Sequence, residues 1–410
     1  MSMNLNPGKN KSLENKAVNS TMDEKLLLSE ILSNPEKGLN KNTIEKAEEL
    51  LGGKEKLSEL VRDLLIDEII IRQEQLKTEK PDLEKIKSDA LSEIKKKITF
   101  YIENYKKFAK CREIFSNAKN LEELFKIKEP LIEIAKKIGQ YDASNTPEAQ
   151  RRNEAMTKPN KTLLERPAEI FKFIINPEYV ETKRRELHNI NGLYMPDKEN
   201  PDGGDGWEVK KIGNKQISTL FDTQGHGISQ AYTKLFIEKT LSLATEDSDN
   251  LFEIDNFLLE IDEASLFQFQ LNAAMIRTEI KEDKNGELNM NALINADTGV
   301  YICRENKIII SGFEGEYTGV KNINKEFTKM SALGTGYKNK TSFKRSTNIK
   351  LNKDDEVYLF SDGSKGGIKD VFEQIGKTIH SINGKTILNS IKNRKTQGKQ
   401  RDDITILKIH

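Results

Sequence analysis

Asp222-Thr223-Gln224-Gly225-His226-Gly227 is the stretch that decides how the rest of this chain is interpreted. The apolar run 217–221 comes before it and is typical of a buried strand, and the amphipathic run that begins at Ile228 predicts a helix. An acidic residue at the end of a strand, followed by a glycine turn and a helix start, is suited to holding a cation or a phosphate.

Three more acidic clusters lie at predicted strand ends in distant parts of the chain. They are Gly203-Gly204-Asp205, Ser361-Asp362-Gly363 and Asp402-Asp403-Ile404-Thr405. Hard divalent cations such as Mg²⁺ and Mn²⁺ prefer oxygen ligands, and two such ions about 3.5–4 Å apart can clamp a phosphoryl group for in-line attack. Each cluster taken alone is more typical of a turn than of a metal ligand. Four carboxylates from four segments nevertheless predict a divalent-metal site on a sheet scaffold.

Length and composition narrow the class of protein. A chain of 410 residues is long enough for two or three domains, and its net charge of +1 provides no overall basic field for binding nucleic acid. The two cysteines, Cys111 and Cys303, are far apart, which indicates a reducing compartment rather than a disulfide framework. The polar N-terminus is unlike a secretory signal, and no apolar run is long enough to span a membrane. We therefore expect a cytoplasmic protein.

The chain changes character along its length. Residues 1–20 are rich in Asn, Lys and Ser, which predicts a disordered tail, and residues 21–141 have the periodicity of a helical regulatory or dimerisation region. The longest predicted helix carries an apolar stripe from Leu83 to Phe108, which fits either an intramolecular helical bundle or the seam of a homodimer. Residues 142–165 are polar and contain two prolines, which predicts a linker. Residues 166–410 are expected to form one mixed domain.

Short runs of strand type dominate that last region, and several are joined by turn signals into consecutive hairpins. The predicted strands are 207–212, 216–221, 272–281, 287–296, 300–303, 307–311, 357–360 and 404–409. The predicted helices are 228–244, 251–266, 371–379 and 385–391. Runs of hairpins with helices grouped between them favour an antiparallel α+β layer fold over a doubly wound one.

The motifs occur in an order that resembles one family. They are Gly203–Glu208, Asp222–Gly227, Leu293–Ala296, Ser331–Gly334, Leu359–Gly363 and Asp402–Thr405. This set resembles the PPM-type metal-dependent protein serine/threonine phosphatases of the bacterial SpoIIE-like branch, over about residues 191–410. Any one motif is weak, whereas the ordered set is specific. The resemblance implies an α/β/β/α sandwich of two antiparallel sheets flanked by helices, here preceded by an all-α N-terminal region.

The resemblance also implies roles for individual residues around two Mn²⁺ or Mg²⁺ ions. Asp222 would bridge the two ions, and the carbonyl of Thr223 would bind one of them. Asp205 would serve the second ion. The catalytic set implied in this way is Asp205, Asp222, Asp362 and Asp402.

The remaining ligands come from the C-terminal half of the domain. Asp362 and Asp402 would complete the first ion site, and Asp403 is a neighbour that could exchange roles with Asp402. In eukaryotic relatives of this family, a histidine two residues after the aspartate is a proposed general acid. His226 comes four residues after Asp222, which favours a supporting or turn role.

The activity implied is hydrolysis of phosphoserine or phosphothreonine on a protein substrate, with a metal-bound hydroxide as nucleophile. In this branch the substrate is often a small anti-sigma-factor antagonist in a bacterial partner-switching circuit. The alternative is a pseudophosphatase, in which the fold is kept as a signalling binding module. The Gly-Gly-Asp of residues 203–205 is also similar to a diguanylate cyclase signature, and Asp362-Gly363 to a kinase metal motif. Neither of those interpretations explains the other acidic clusters.

Overall fold

The computed structural model describes most of the chain from residue 83 onward. The described residues are 41, 42, 45, 48, 49, 53, 83–142, 167–186, 192–196, 203–224, 228–244, 250–264, 271–295, 298–305, 307–311, 321–322, 333–334, 345–364, 389, 393 and 402–410. The predicted disordered tail and all but the first residue of the predicted linker 142–165 lie outside them. None of the helices in the described part of the chain is both long enough and apolar enough to cross a membrane.

Helices make up the N-terminal half of the described chain. They are α1 (Leu83–Asn117), α2 (Leu121–Phe125), α3 (Lys128–Asp142), α4 (Pro167–Ile174) and α5 (Pro177–Glu186). Two more lie within the strand region, α6 (Ile228–Leu243) and α7 (Asn250–Ala264). Local chemistry sets the start of α2, where the side chain of Asn120 accepts a hydrogen bond from the backbone N–H of Glu123 at 2.9 Å.

The chain divides into two compact units, Met1–Lys106 and Lys107–His410. The division falls inside α1, so the C-terminal part of the helical region predicted at 21–141 belongs to the same unit as the sheets. The domain boundaries expected from the sequence, at 141 and 165, stay a prediction.

One sheet has five antiparallel strands in the order β2-β3-β4-β5-β9. Their bounds are β2 Asp205–Ile212, β3 Lys215–Thr223, β4 Ala273–Glu282, β5 Leu288–Asn295 and β9 Arg345–Leu351. Strands β2 and β3 are joined by the two-residue turn Gly213-Asn214, since Ile212 pairs with Lys215. In the β4–β5 hairpin, Asp283 Oδ1 accepts hydrogen bonds from the backbone N–H groups of Asn285 and Glu287.

The other sheet has six strands in the order β1-β11-β10-β6-β7-β8. Their bounds are β1 Gly192–Met195, β6 Gly299–Arg304, β7 Lys307–Ser311, β8 Lys321–Asn322, β10 Glu356–Phe360 and β11 Ile404–Lys408. All pairs are antiparallel except the short β7–β8 pair, which is parallel.

The two sheets pack face to face around one apolar core. Its buried members come from both sheets and include Leu220, Ile276, Ile302, Leu359 and Leu407. The predicted α+β fold with two antiparallel sheets and an all-helical N-terminal region is confirmed. The helices predicted at 371–379 and 385–391 would complete the second helical layer. The first lies outside the described residues, and of the second only residue 389 is described.

An aromatic cluster attaches the upstream helices to α6 and α7. The fully buried Phe236 of α6 stacks on Phe171 of α4 at 4.7 Å between ring centroids and on Phe115 of α1 at 6.2 Å. Phe125 of α2 stacks on Phe257 of α7 at 4.5 Å. Burying a Phe side chain stabilises a fold by about 1.5–3 kcal/mol, so this cluster is a substantial part of the core of the Lys107–His410 unit.

Candidate metal centre

The register of the strands brings the acidic motifs together. Asp205, the first residue of β2, pairs directly with Asp222 near the end of β3. In the other sheet, β10 ends at Phe360 and runs antiparallel to β11, so the segments just after β10 and just before β11 lie side by side. Those two segments carry Asp362 and Asp402. Because the sheets pack face to face, the acidic ends of the β2–β3 and β10–β11 pairs can meet at one edge of the sandwich.

Three of the predicted site residues do converge. Asp222, Asp362 and Asp402 each offer a carboxylate oxygen, and these oxygens lie within 4.8 Å of one another. All three side chains are partly buried. They come from β3, from the 3₁₀ turn Asp362–Ser364 and from the segment before β11. A cluster built from three distant segments therefore arises only in the folded chain.

Asp205 lies beside this cluster and is held differently. It is fully buried, and its Oδ2 accepts a hydrogen bond of 2.5 Å from the hydroxyl of Thr405. The pKa of Asp205 is raised overall, mainly by burial and further by the charge of Asp403. The hydroxyls of Thr405 and Ser361 and the charge of Lys234 act in the opposite direction. The bond from Thr405 fixes the direction of the Asp205 carboxyl next to Asp222.

Electrostatics in the cluster are dominated by crowding of like charges. The pKa of Asp222 is raised, first by burial and then by the charges of Asp205, Asp362 and Asp402. Carboxylates this close cannot all be ionised at neutral pH without a positive counter-charge. A divalent cation supplies such a charge, and hard oxygen donors are the ligands that Mg²⁺ and Mn²⁺ prefer. The residues present therefore fit a bound divalent metal.

The two neighbouring aspartates before β11 point to different partners. Asp402 belongs to the cluster, and its Oδ1 also accepts a hydrogen bond of 2.9 Å from the backbone N–H of Asp403. Asp403 is buried, and its Oδ2 accepts a hydrogen bond from the backbone N–H of Gly204. In this arrangement Asp402 is available to a metal, and Asp403 ties the segment before β11 to the segment before β2.

Thr223 is 1% exposed, and its carbonyl oxygen accepts a hydrogen bond of 2.5 Å from Nε2 of Gln230. Its own hydroxyl and N–H both donate to the carbonyl of Gly204, at 2.9 and 3.3 Å. The ligand role of this carbonyl, like those of the aspartates, stays a prediction. His226 and the glycines on either side of it lie outside the described residues.

Gly363 allows the two segments of the second sheet to approach each other. A Cβ built on Gly363 would lie 2.0 Å from the backbone oxygen of Asp403, far closer than any real contact. The glycine of the Asp-Gly motif therefore lets the segment that carries Asp362 lie close to the segment that carries Asp402, whatever its effect on the turn.

Sequence reasoning missed several residues that shape the site. Ser361 and Thr405 belong to the acidic motifs, and their place within two residues of an aspartate is the signal that could have identified their hydroxyls. Lys234 of α6 is 8% exposed and lies over the rings of Tyr194 and Trp207, at 5.0 and 5.8 Å from the ring centroids. A lysine among the apolar residues of a predicted helix was a weak signal for such a buried cation.

No family model matches this chain, and no curated protein matches it. Among solved structures, it is similar to a bacterial serine phosphatase with 13% identity, a TM-score of 0.37, and coverage of 54% of this chain and 98% of the other. It is similar to the serine/threonine phosphatase of S. agalactiae with 14% identity, a TM-score of 0.34, and coverage of 53% and 97%. A third similar structure is RsbX in complex with magnesium, with 15% identity, a TM-score of 0.34, and coverage of 52% and 90%. The structural neighbours of this chain are thus bacterial serine phosphatases, at low identity and over about half of its length.

Proposed function

We propose that this chain is a metal-dependent protein phosphatase that hydrolyses phosphoserine or phosphothreonine. The observation that carries the proposal is the convergence of Asp222, Asp362 and Asp402, whose carboxylate oxygens lie within 4.8 Å of one another. Divalent ions at such a site lower the pKa of a coordinated water and neutralise phosphoryl oxygens during in-line attack.

The protein's own residues have distinct tasks in this proposal. Asp222 lies opposite Asp205 in the β2–β3 ladder and also within the group formed with Asp362 and Asp402, which suits a carboxylate shared between two ions. Asp362 and Asp402 would complete the first ion site. Asp205, oriented by Thr405, would serve the second.

The proposed substrate is a phosphorylated protein, of the kind represented by an anti-sigma-factor antagonist in a bacterial partner-switching circuit. The ordered motif set over residues 191–410 supports this choice. Two ions, Mn²⁺ or Mg²⁺, are proposed as cofactors because the donors are carboxylate and carbonyl oxygens.

The test is hydrolysis of a small aryl phosphate and of phosphoserine peptides with added Mn²⁺ or Mg²⁺. Asp222→Asn should nearly abolish turnover, because one substitution removes an anion from both ions. The matched control is Asp283→Asn in the β4–β5 turn, which keeps the acceptor oxygen that Asn285 and Glu287 use. The control should be as active as the wild type.

Metal binding and hydrolysis together distinguish a metal-dependent phosphatase from the binding-module alternative. Saturating Mn²⁺ should raise the melting temperature of the wild type but not that of Asp222→Asn, since a ligand at about 100 times its Kd stabilises a protein by roughly 2.7 kcal/mol. Turnover that survives in Asp222→Asn would contradict the two-ion assignment. A wild-type chain that binds Mn²⁺ but hydrolyses neither substrate would favour the binding-module alternative.

A further inference from the structure

Gln230 lies in the first turn of α6 and is 3% exposed. Its side-chain amide lies directly against the backbone of Gly204. A Cβ built on Gly204 would lie 1.7 Å from Nε2 of Gln230, and the three atoms nearest to that Cβ all belong to the Gln230 side chain. The glycine just before Asp205 therefore provides the space that the amide occupies.

From this position the amide reaches the end of β3. Nε2 of Gln230 donates a hydrogen bond of 2.5 Å to the carbonyl oxygen of Thr223. Thr223 in turn donates through its N–H and its hydroxyl to the carbonyl of Gly204. The N–H of Gly204 donates to Asp403. One continuous set of contacts thus joins α6, the end of β3, the start of β2 and the segment before β11.

Each of the three strand-end segments in this set carries a carboxylate of the candidate site. Asp222 precedes Thr223, Asp205 follows Gly204, and Asp402 precedes Asp403. A shift of any of these backbone segments moves the neighbouring carboxylate. The Gln230 amide is the member of the set that comes from outside the sheets.

We propose that Gln230 is a positioning residue of the metal centre, which holds the Thr223 carbonyl and the Gly204 backbone in place for metal binding. The inference rests on the proposed function. A carbonyl oxygen has two lone pairs, so it can accept the Gln230 hydrogen bond and still ligate an ion. The hydrogen bond restricts rotation of the Thr223 peptide, and the amide fills the space above Gly204. Partners of this kind orient metal ligands, and their removal typically costs 10–100-fold in metal affinity.

The main test is Gln230→Met, which keeps the length and approximate volume of the side chain but removes the donor. The matched control is Thr240→Val on the same helix. Thr240 is fully buried, and its hydroxyl donates a hydrogen bond of 2.9 Å to the carbonyl oxygen of Phe236 within α6. Each variant removes a buried hydrogen bond made by a side chain of α6, and of the two residues it is Gln230 that donates to Thr223.

Mn²⁺ affinity is measured by calorimetry, and the bound ion is observed by electron paramagnetic resonance. We expect Gln230→Met to bind Mn²⁺ at least about 10-fold more weakly than the wild type, with a changed spectrum of the bound ion. Thr240→Val should keep the wild-type affinity and spectrum, and its melting temperature in EDTA should fall about as far as that of Gln230→Met. Equal Mn²⁺ affinity in Gln230→Met and the wild type would overturn the inference. Equal weakening in both variants would also overturn it, because the effect would then come from loss of helix stability.

A double-mutant cycle provides a second test, and its first variant leaves Gln230 in place. Gly204→Ala should weaken Mn²⁺ binding in the wild-type background, because the new methyl group displaces the amide. In the Gln230→Ala background the same substitution should cost little more, because the clashing side chain is gone. Full additivity would overturn the inference. If the wild type binds no Mn²⁺, the proposed function itself is contradicted. If Asp222→Asn loses Mn²⁺ binding but Gln230→Met keeps it, only the role of Gln230 is contradicted.

Discussion

Asp402 and Asp403 should respond to substitution in opposite ways, although they are adjacent. Asp402 belongs to the three-carboxylate cluster, whereas Asp403 is buried and accepts the hydrogen bond of the Gly204 N–H. We expect Asp402→Ala to remove metal binding and activity with little loss of stability. Asp403→Ala should mainly destabilise the fold.

The sizes of the two effects follow from these contacts. Asp403→Ala leaves the buried Gly204 N–H without its acceptor, which costs about 1–3 kcal/mol. At roughly 2–4 °C per kcal/mol for a large domain, the melting temperature should fall by roughly 2–12 °C. Asp402→Ala relieves repulsion within the cluster, and the hydrogen bond that it removes, from the Asp403 N–H, is only partly buried. Its free energy of unfolding in EDTA should therefore stay within about 1 kcal/mol of the wild-type value, while Mn²⁺ affinity falls by more than about 100-fold.

The assay is urea unfolding in EDTA, combined with Mn²⁺ titration and aryl phosphate hydrolysis. Two Asn variants serve as controls, because Asn keeps an acceptor oxygen but removes the charge. Asp403→Asn should recover most of the stability lost in Asp403→Ala, and Asp402→Asn should stay as inactive as Asp402→Ala. The reasoning is refuted if Asp403→Ala loses Mn²⁺ binding while Asp402→Ala keeps it. That result would place the metal-facing residue one position further along, which near a strand also exchanges faces.

Three further predictions concern other parts of the chain. Burial raises the pKa of both Cys111 and Cys303 to about 12, so a thiol reagent at pH 8 should label neither in the native protein and both in urea. Asp355→Ala removes the buried acceptor of two Arg304 hydrogen bonds, at 2.6 and 2.8 Å, and should lower the free energy of unfolding by about 1–3 kcal/mol in urea titrations. If the stripe on α1 pairs between chains, light scattering should give a dimer for the wild type and a monomer for Ile98→Asp. Two monomers would assign the stripe to an intramolecular bundle.

The sequence predicts well the strands that form a continuous or alternating apolar run between turn residues. Every strand predicted from an apolar run between turn residues is present, with ends that differ by at most two residues. The strands that were missed lack such signals. β9 (Arg345–Leu351) is an edge strand, and most of its residues are polar although Ile349 and Leu351 are buried. β1 has only four residues, and it is recognisable as a strand only through its pairing with β11.

The candidate site divides in the same way between what the sequence could and could not predict. The carboxylates occur in ordered motifs, so their meeting was predictable, and the structure does bring Asp222, Asp362 and Asp402 together. The contacts that hold them were not predictable. Gln230 and Lys234 are polar residues at helical spacing and are ordinarily assigned to a solvated face. Both are buried, because α6 packs along β2 and β3. Such contacts depend on tertiary placement, which local sequence patterns indicate weakly at most.

The placement of α6 also bears on how regulation by the N-terminal helices can be tested. Phe236 of α6 packs on Phe115 of α1 and Phe171 of α4. Lys239 of the same helix donates a hydrogen bond of 3.3 Å to the carbonyl oxygen of Ala118. A fragment that begins at residue 166, the boundary expected from the sequence, would lose Phe115 and Ala118 and expose one face of Phe236. Altered activity in such a fragment would then reflect lost packing on the helix that carries Gln230, and it would say nothing about a regulatory signal. A fragment that begins at Lys107, where the compact unit begins, keeps those contacts and isolates the contribution of the residues before it.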